Sequence, residues 1–270
     1  MIDLTYLNII SFFLIFFIGL PHGSFDGAVA SLIGFKTKYQ FTKFVIYYLI
    51  LFCFVVIFWV NFPIVSLIIF LLMTIVHFGL CDWSFYNVNK NKIPITLAHG
   101  MSVIFGIIYF NEEEAFKIFE YLTNNNIYLF KNYIFIAYII TLVLIIYFIY
   151  LSLYEKKIRQ GIFEILALLI IFYLFDPILS FAIYFCFFHS YKHLKQLITN
   201  IYLHIQNKKF VIISTILFTL ISWIGSFVVI LYLAQNINLY ESFLRVIFIG
   251  LAALTLPHMF LVDFLYRKKF

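Results

Sequence analysis

Residues 41–60 read FTKFVIYYLILFCFVVIFWV, an apolar run in which Lys43 is the one charged residue. About 20 apolar residues are enough for an α-helix to cross a hydrocarbon core of about 30 Å. Similar runs fill most of the 270-residue chain, which is 65% hydrophobic and 11% charged, with a mean hydropathy of +1.06. A soluble domain carries roughly 25% charged residues. The composition therefore indicates a polytopic membrane protein.

The apolar runs predict an all-α fold, a polytopic integral membrane helical bundle. The hydropathy criterion predicts about nine transmembrane helices, within a range of about 8–10. The predicted spans are residues 6–20, 41–60, 63–80, 93–109, 127–153, 162–175, 178–194, 210–233 and 242–266.

Loops rich in lysine and arginine alternate along the chain with neutral or acidic loops. The neutral or acidic loops include residues 111–126, Asp176 and residues 235–241. By the positive-inside rule, this alternation predicts an outside N-terminus and a cytoplasmic C-terminus in the cell (plasma) membrane. The formal charge of +6 is distributed over the basic loops and predicts no nucleic-acid partner. The basic loop residues are Lys36, Lys38, Lys43, Lys90, Lys92, Lys156, Lys157, Arg159, Lys192, Lys195, Lys208, Lys209, Arg267, Lys268 and Lys269.

Six of the seven histidines lie inside the apolar spans or at their ends, all toward the predicted cytoplasmic side. Ionisable groups are costly at bilayer depth and usually mark a functional site. Imidazole is also a common ligand of transition metals. Histidines at one level, drawn from several helices, can converge on one point, so the sequence predicts a membrane-embedded metal centre. The six are His22, His77, His99, His189, His193 and His258.

Local spacing adds detail to this prediction. His189 and His193 are one helical turn apart and therefore share a helix face. His22 follows Pro21 and His258 follows Pro257, where a helix tends to break or kink. For a lone histidine, an interhelical hydrogen bond is the alternative interpretation.

Two aspartates lie near the histidines in sequence, and three cysteines lie within or beside the apolar spans. Asp26 and Asp82 follow His22 and His77 by about a turn, and either fix their tautomers or lie at the inner interface. Cys53, Cys81 and Cys186 have unrelated spacings and are interpreted as small core residues rather than ligands.

Four motifs together resemble the Brp/Blh family of bacterial and archaeal membrane proteins. They are GLPHGSFD at 19–26, HFG at 77–79, FHSYKH at 188–193 and PHM at 257–259. Members of this family are beta-carotene 15,15'-dioxygenases that supply retinal to microbial rhodopsins. The resemblance implies one transmembrane catalytic domain over residues 1–270 and an iron(II) centre. It implies His22, His77, His189 and His193 as the ligands, with His99 and His258 contacting the ligands or the substrate.

The implied reaction is Fe(2+)-dependent cleavage of the central 15,15' double bond of beta-carotene by dioxygen, giving two molecules of all-trans-retinal. Neutral imidazoles bind iron(II) and leave coordination positions open for dioxygen and the substrate. Beta-carotene has no polar group and dissolves in membrane lipid, so shape and apolar contact must hold it. The 37 Phe and 20 Tyr residues could line such a tunnel. The resemblance also implies a functional link to a microbial rhodopsin through retinal supply.

The same residues bear on the rival functions. Histidine-box desaturases need about eight histidines, more than this chain supplies, and the His-Glu-x-x-His motif of metalloproteases is absent. A rhodopsin needs a lysine deep in a late span, whereas the lysines here are near the inner loops or the terminus. A histidine-lined membrane metal or proton transporter remains the alternative.

Overall fold

The computed structural model describes residues 5–84, 92–125, 127, 131–205 and 207–266. Across these residues the chain is helical and contains no strand, which confirms the all-α class. The α-helices are α1 (Tyr6–Leu14), α2 (Asp26–Ile33), α3 (Lys38–Asn61), α4 (Pro63–Ser84), α5 (Lys92–Phe110), α6 (Glu112–Thr123), α7 (Lys131–Ser152), α8 (Lys156–Leu174), α9 (Pro177–Ile183), α10 (Ser190–His204), α11 (Lys208–Leu233) and α12 (Leu239–Met259).

Seven helical segments of the described chain are long and apolar enough to cross a membrane. They are Tyr6–Ile33, Lys38–Asn61, Pro63–Trp83, Ile93–Phe110, Lys131–Ser152, Lys208–Leu233 and Leu239–Asp263. The other two predicted spans fall in α8 and in the interrupted run from α9 to α10. Helix α8 carries several charges in its first half, and α9 is only 7 residues long. The prediction of about nine spans and of their orientation therefore stays a prediction.

The helices form an inner group and an outer group. In α4, α5 and α12, 50%, 61% and 56% of the apolar window is buried, compared with 17% in α3, 11% in α7 and 6% in α11. The outer helices expose large apolar side chains such as Ile221, which is 67% exposed. Such surfaces require an apolar solvent, so the outer helices are suited to face lipid.

Helix α6 is a feature that the sequence analysis missed, because residues 111–126 were interpreted as an acidic loop. Its first turn carries Glu112, Glu113 and Glu114, a favourable position for negative charge at a helix N-terminus. Ala115, Ile118 and Leu122 recur at helical spacing, and these three side chains are buried. This apolar stripe packs α6 against α4, α5 and α12.

Within the described residues, segments of π- and 3₁₀-helix interrupt the α-helices at three places. The π-helical segments are Ile15–Gly19, Tyr184–His189 and Phe260–Tyr266, and a 3₁₀ segment spans Leu20–Phe25. Each place includes or adjoins a histidine motif of the sequence. A π-helical turn shifts the register of the side chains that follow it, and such turns are frequent at functional sites. Pro257 lies inside α12, and the last π-helical segment begins three residues after it, at Phe260.

Two glycines allow α4 and α5 to approach closely. A Cβ atom at Gly79 would lie 2.0 Å from the carbonyl oxygen of Thr96, and one at Gly100 would lie 1.9 Å from that of Ile75. No side chain larger than hydrogen fits at these two backbone crossings, which is the general role of small residues between membrane helices.

Gly79→Ala is expected to separate α4 from α5, because the clashing atom belongs to the backbone and cannot rotate away. Overpacking of this kind costs about 1–3 kcal/mol. The protein purified in detergent should therefore aggregate at a lower temperature in a heating series followed by size-exclusion chromatography.

The matched control is Gly250→Ala in α12, where an added Cβ would meet no atom within 4 Å. This variant should keep the wild-type midpoint or raise it slightly, since alanine is the better helix former. Equal midpoints for the Gly79 and Gly250 variants would contradict the tight crossing of α4 and α5.

Candidate metal centre

Four buried imidazole rings from four segments of the chain lie together. His77 comes from α4, His189 from the π-helical segment before α10, His193 from α10 and His258 from α12. The ring centroids of His77 lie 5.0 Å from His189 and 5.2 Å from His258, and those of His193 and His258 are 5.0 Å apart. The rings of His189 and His193 are parallel within 2° at 6.2 Å. All four residues are at most 3% exposed.

Each ring of this histidine cluster has its Nδ1 atom in a polar contact. The contacts are His77–Asp263 at 2.8 Å, His189–Asp82 at 3.0 Å, His258–Asp26 at 2.7 Å and His193–Cys81 at 3.2 Å. An ionised carboxylate only accepts hydrogen bonds, so Nδ1–H donates in the three aspartate pairs. This fixes the tautomer and makes Nε2 the nitrogen suited to bind a metal. The four Nε2 atoms are buried, and that of His77 has no hydrogen-bond partner in the described part of the chain.

Asp82 is the most heavily used carboxylate of the site. It is fully buried and accepts hydrogen bonds from Nδ1 of His189 at 3.0 Å, from Nε2 of His99 at 3.0 Å and from the Tyr184 hydroxyl at 2.9 Å. The ammonium of Lys192 lies 4.0 Å from it. Asp82 therefore holds His189 from one side and separates His99 from the histidine cluster.

Asp26 holds His258 in a comparable way. Besides the contact with Nδ1 of His258, it accepts a hydrogen bond of 2.9 Å from the Tyr48 hydroxyl. Asp26 begins α2, where the helix dipole favours a negative charge. Tyr48 belongs to α3, so three helices meet at this carboxylate.

Within the described residues, the groups whose ligand atoms all lie within 4.8 Å of one another are Cys81, Asp82 and His189, and Asp82, His99 and Glu164. Both groups include Asp82, whose oxygens already accept three hydrogen bonds. Glu164 forms an ion pair with Lys192, and a nearby ammonium disfavours a cation. The histidine cluster is therefore the better candidate for a metal.

The donors and the local charge both fit a divalent transition metal. Imidazole nitrogens suit iron, zinc, copper and nickel. Asp26, Asp82 and Asp263 are buried carboxylates, and Lys192 is the buried cationic side chain among the described residues. Burial of negative charge is costly unless a positive charge offsets it, and a metal ion at the Nε2 atoms would supply that charge.

The structure brings together part of the predicted ligand set. His77, His189 and His193 lie in the cluster, and His258, which the resemblance placed beside the ligands, lies among them. His99 is separated from the cluster by Asp82. The backbone of His22 belongs to the 3₁₀ segment Leu20–Phe25, but its side chain lies outside the described part of the structure.

Asp82 and Asp26 each accept a hydrogen bond from a histidine that is distant in sequence. Asp82 follows His77 closely but bonds His189 and His99, while His77 bonds Asp263. Helix α4 directs the Asp82 side chain toward α5 and the π-helical segment Tyr184–His189. The short distance in sequence between His77 and Asp82 therefore predicted the wrong partner for His77.

Several residues of the site were missed by sequence reasoning. The sequence contains a signal for Asp263, because a carboxylate within an apolar span indicates a functional site in the same way as a histidine there. Lys192 was interpreted as a basic loop residue, but it is buried in α10 and paired with Glu164. Nothing in the sequence distinguishes Tyr48 and Tyr184 from the other tyrosines of the chain, which has 20 in total. Cys81 fits its interpretation as a core residue, and it also contacts His193.

Comparisons with known proteins show the family of this chain. The family model described as beta-carotene 15,15'-dioxygenase matches residues 13–266. A beta-carotene 15,15'-dioxygenase from the uncultured marine bacterium 66A03 is 33% identical over 256 residues, which cover 94% of this chain and 92% of that protein. No solved structure matches the chain. The resemblance indicated by the histidine motifs is confirmed, and the chain belongs to the beta-carotene 15,15'-dioxygenase family of oxidoreductases.

Proposed function

We propose that this protein cleaves the central 15,15' double bond of beta-carotene with dioxygen in an iron(II)-dependent reaction, giving two molecules of retinal. The observation that carries the proposal is the cluster of four buried imidazoles inside an apolar helical bundle, in a chain of this family. Family membership favours this enzyme over the histidine-lined transporter that the composition alone left open.

The iron would be held by His77, His189 and His193, together with His22 as the motifs imply. We add His258 to the proposed ligands. The centroid of its ring lies 5.2 Å from that of His77 and 5.0 Å from that of His193. These distances are similar to the 5.0 Å between the rings of His77 and His189. Asp26 also engages its Nδ1 atom in the way that Asp82 engages that of His189.

The buried carboxylates would position the ligands rather than bind the metal. Asp82, Asp263 and Asp26 hold the Nδ1–H groups of His189, His77 and His258, which fixes the ring orientations. Their negative charge also raises the basicity of the opposite nitrogen. His99 would act through Asp82, since its Nε2 donates to that carboxylate.

Iron(II), when bound, would supply the activation of dioxygen. The surrounding residues would exclude water and hold the hydrocarbon chain. The ring of Phe78 lies 4.5 Å from His189, and Phe185 stacks on His189 at 5.9 Å. Because beta-carotene offers no polar group, position relative to the metal must select the double bond that is cleaved. Both oxygen atoms of dioxygen then end in the two aldehydes.

The setting in the cell follows from the substrate and product. Beta-carotene dissolves in membrane lipid, and the outer helices expose apolar side chains to such a solvent. We propose that the protein lies in the cell (plasma) membrane as a multi-pass enzyme and draws its substrate from the bilayer. The retinal would then be available to a microbial rhodopsin in the same membrane.

Expression in a bacterial host that accumulates beta-carotene tests the reaction. The orange colour should fade, and retinal should be the apocarotenal detected by liquid chromatography, because cleavage at the centre yields two identical halves. Purified protein should contain iron in tight association. Cells that stay orange, or that accumulate unequal apocarotenals, would rule out the proposed reaction.

Single replacement of a proposed ligand, as in His77→Ala, His189→Ala, His193→Ala or His258→Ala, should reduce both bound iron and retinal production to background. Each change removes one nitrogen donor from a buried site. Iron should be measured by atomic emission on protein that elutes as a monodisperse peak. His22→Ala is expected to behave in the same way.

The matched control is His204→Ala, because His204 is exposed at the end of α10. This variant should keep the iron content and activity of the wild type. Folded ligand variants that retain full activity would remove the metal assignment.

Asp82→Asn and Asp263→Asn should weaken iron binding by about 10- to 100-fold, the range for partners of ligating histidines. An amide keeps the volume of the carboxylate but loses its charge, so a folded protein with a reduced iron affinity is expected. Glu113→Gln on the exposed face of α6 is the control. An unchanged iron affinity in both aspartate variants would show that the carboxylates do not act on the metal.

A further inference from the structure

A buried ion pair lies beside Asp82, outside the set of proposed ligands. Lys192 belongs to α10 and Glu164 to α8, and the ammonium of the first binds the carboxylate of the second. The side chains of Lys192 and Glu164 are 7% and 11% exposed. Ionisable groups inside an apolar helical bundle are costly and usually mark a function.

Stability alone does not account for this pair. The free energy that two charges lose when they leave water can exceed the free energy of their attraction. Replacement of a buried ion pair by apolar residues of similar volume is often neutral or stabilising. The position of Lys192 and Glu164 next to the metal centre therefore points to an effect on the centre itself.

The ammonium of Lys192 is close to two carboxylates. It is bonded to Oε1 of Glu164, and it lies 4.0 Å from Oδ2 of Asp82, a distance too long for a hydrogen bond. Ligand atoms of Asp82 and Glu164 lie within 4.8 Å of each other, so their negative charges repel. Lys192 offsets this repulsion, while Glu164 holds the ammonium away from direct contact with Asp82.

The two oxygens of Asp82 face different groups. Oδ1 accepts the Nδ1–H of His189, a proposed metal ligand. Oδ2 accepts hydrogen bonds from His99 and Tyr184 and is the oxygen nearest to Lys192. Because the charge on a carboxylate is shared by its two oxygens, a change of charge near Oδ2 alters the hydrogen bond at Oδ1. The basicity of His189 toward a metal changes with that bond.

We propose that Lys192 and Glu164 are positioning residues that act through Asp82 and His189 to set the reduction potential of the bound iron. The inference rests on the proposed function and deepens it, because this potential governs how readily iron(II) gives an electron to dioxygen. The ion pair has no net charge, so Asp82 keeps its own negative charge for His189. Loss of Glu164 would let the ammonium neutralise Asp82, and loss of Lys192 would leave two adjacent carboxylates.

The charge-changing variants should therefore differ in a fixed order. Added positive charge favours iron(II) and added negative charge favours iron(III), so Glu164→Gln should raise the potential and Lys192→Met should lower it. The double variant should lie between the two. The potential should be measured by redox titration of the purified iron-containing protein, with the iron(III) signal followed by electron paramagnetic resonance. Lys195→Met, at an exposed position of α10, is the matched control and should keep the wild-type potential.

The order of potentials separates this role from a purely structural one. Removal of one partner of a buried ion pair destabilises a protein, and removal of both can restore its stability. A structural pair would give that pattern in the unfolding temperature without ordering the potentials. If Lys192→Met does not fold, Glu164→Gln should still lie above the double variant.

Equal potentials in Glu164→Gln and the double variant, or the reverse order, would overturn the inference while the proposed function stands. A wild-type protein that binds no iron and forms no retinal would overturn both.

Discussion

The pairing of a buried carboxylate with the Nδ1–H of an imidazole is the interaction on which the rest of this structure depends. A carboxylate removed from water is costly unless it is hydrogen-bonded and its charge is offset. Asp26, Asp82 and Asp263 each meet this requirement through a histidine. The same three bonds decide which nitrogen of each ring faces the centre. Packing, tautomer and metal-binding capacity therefore follow from one type of contact.

The irregular backbone serves this arrangement. His189 ends one π-helical segment and Asp263 lies in another, so the register of both side chains differs from that of a regular α-helix. Pro257 and the turn after it place His258 and Asp263 on the same side of the bundle, toward Asp26 and His77. The apolar helices around them supply rigid, close packing, most tightly where Gly79 and Gly100 bring α4 and α5 together.

Composition predicted the all-helical class because hydropathy is a property of whole segments, and the histidine positions predicted a metal centre because imidazole is rare in apolar spans. The spacing of residues in the sequence could not identify which carboxylate bonds which histidine. Asp82 is near His77 in sequence, but it bonds residues 107 and 17 positions away, since pairing across helices depends on how the helices pack. Helix α6 was missed for a different reason: its charged first turn concealed the apolar stripe that begins at Ala115.

The longest-range contacts of the centre have a consequence for its biogenesis. Asp26 bonds His258 across 232 positions, and His77 bonds Asp263 across 186. Both pairs need the final helix, so the first half of the chain cannot complete the centre while the ribosome is still making the second. The proposed metal site is therefore complete only after the last helix has been synthesised and packed.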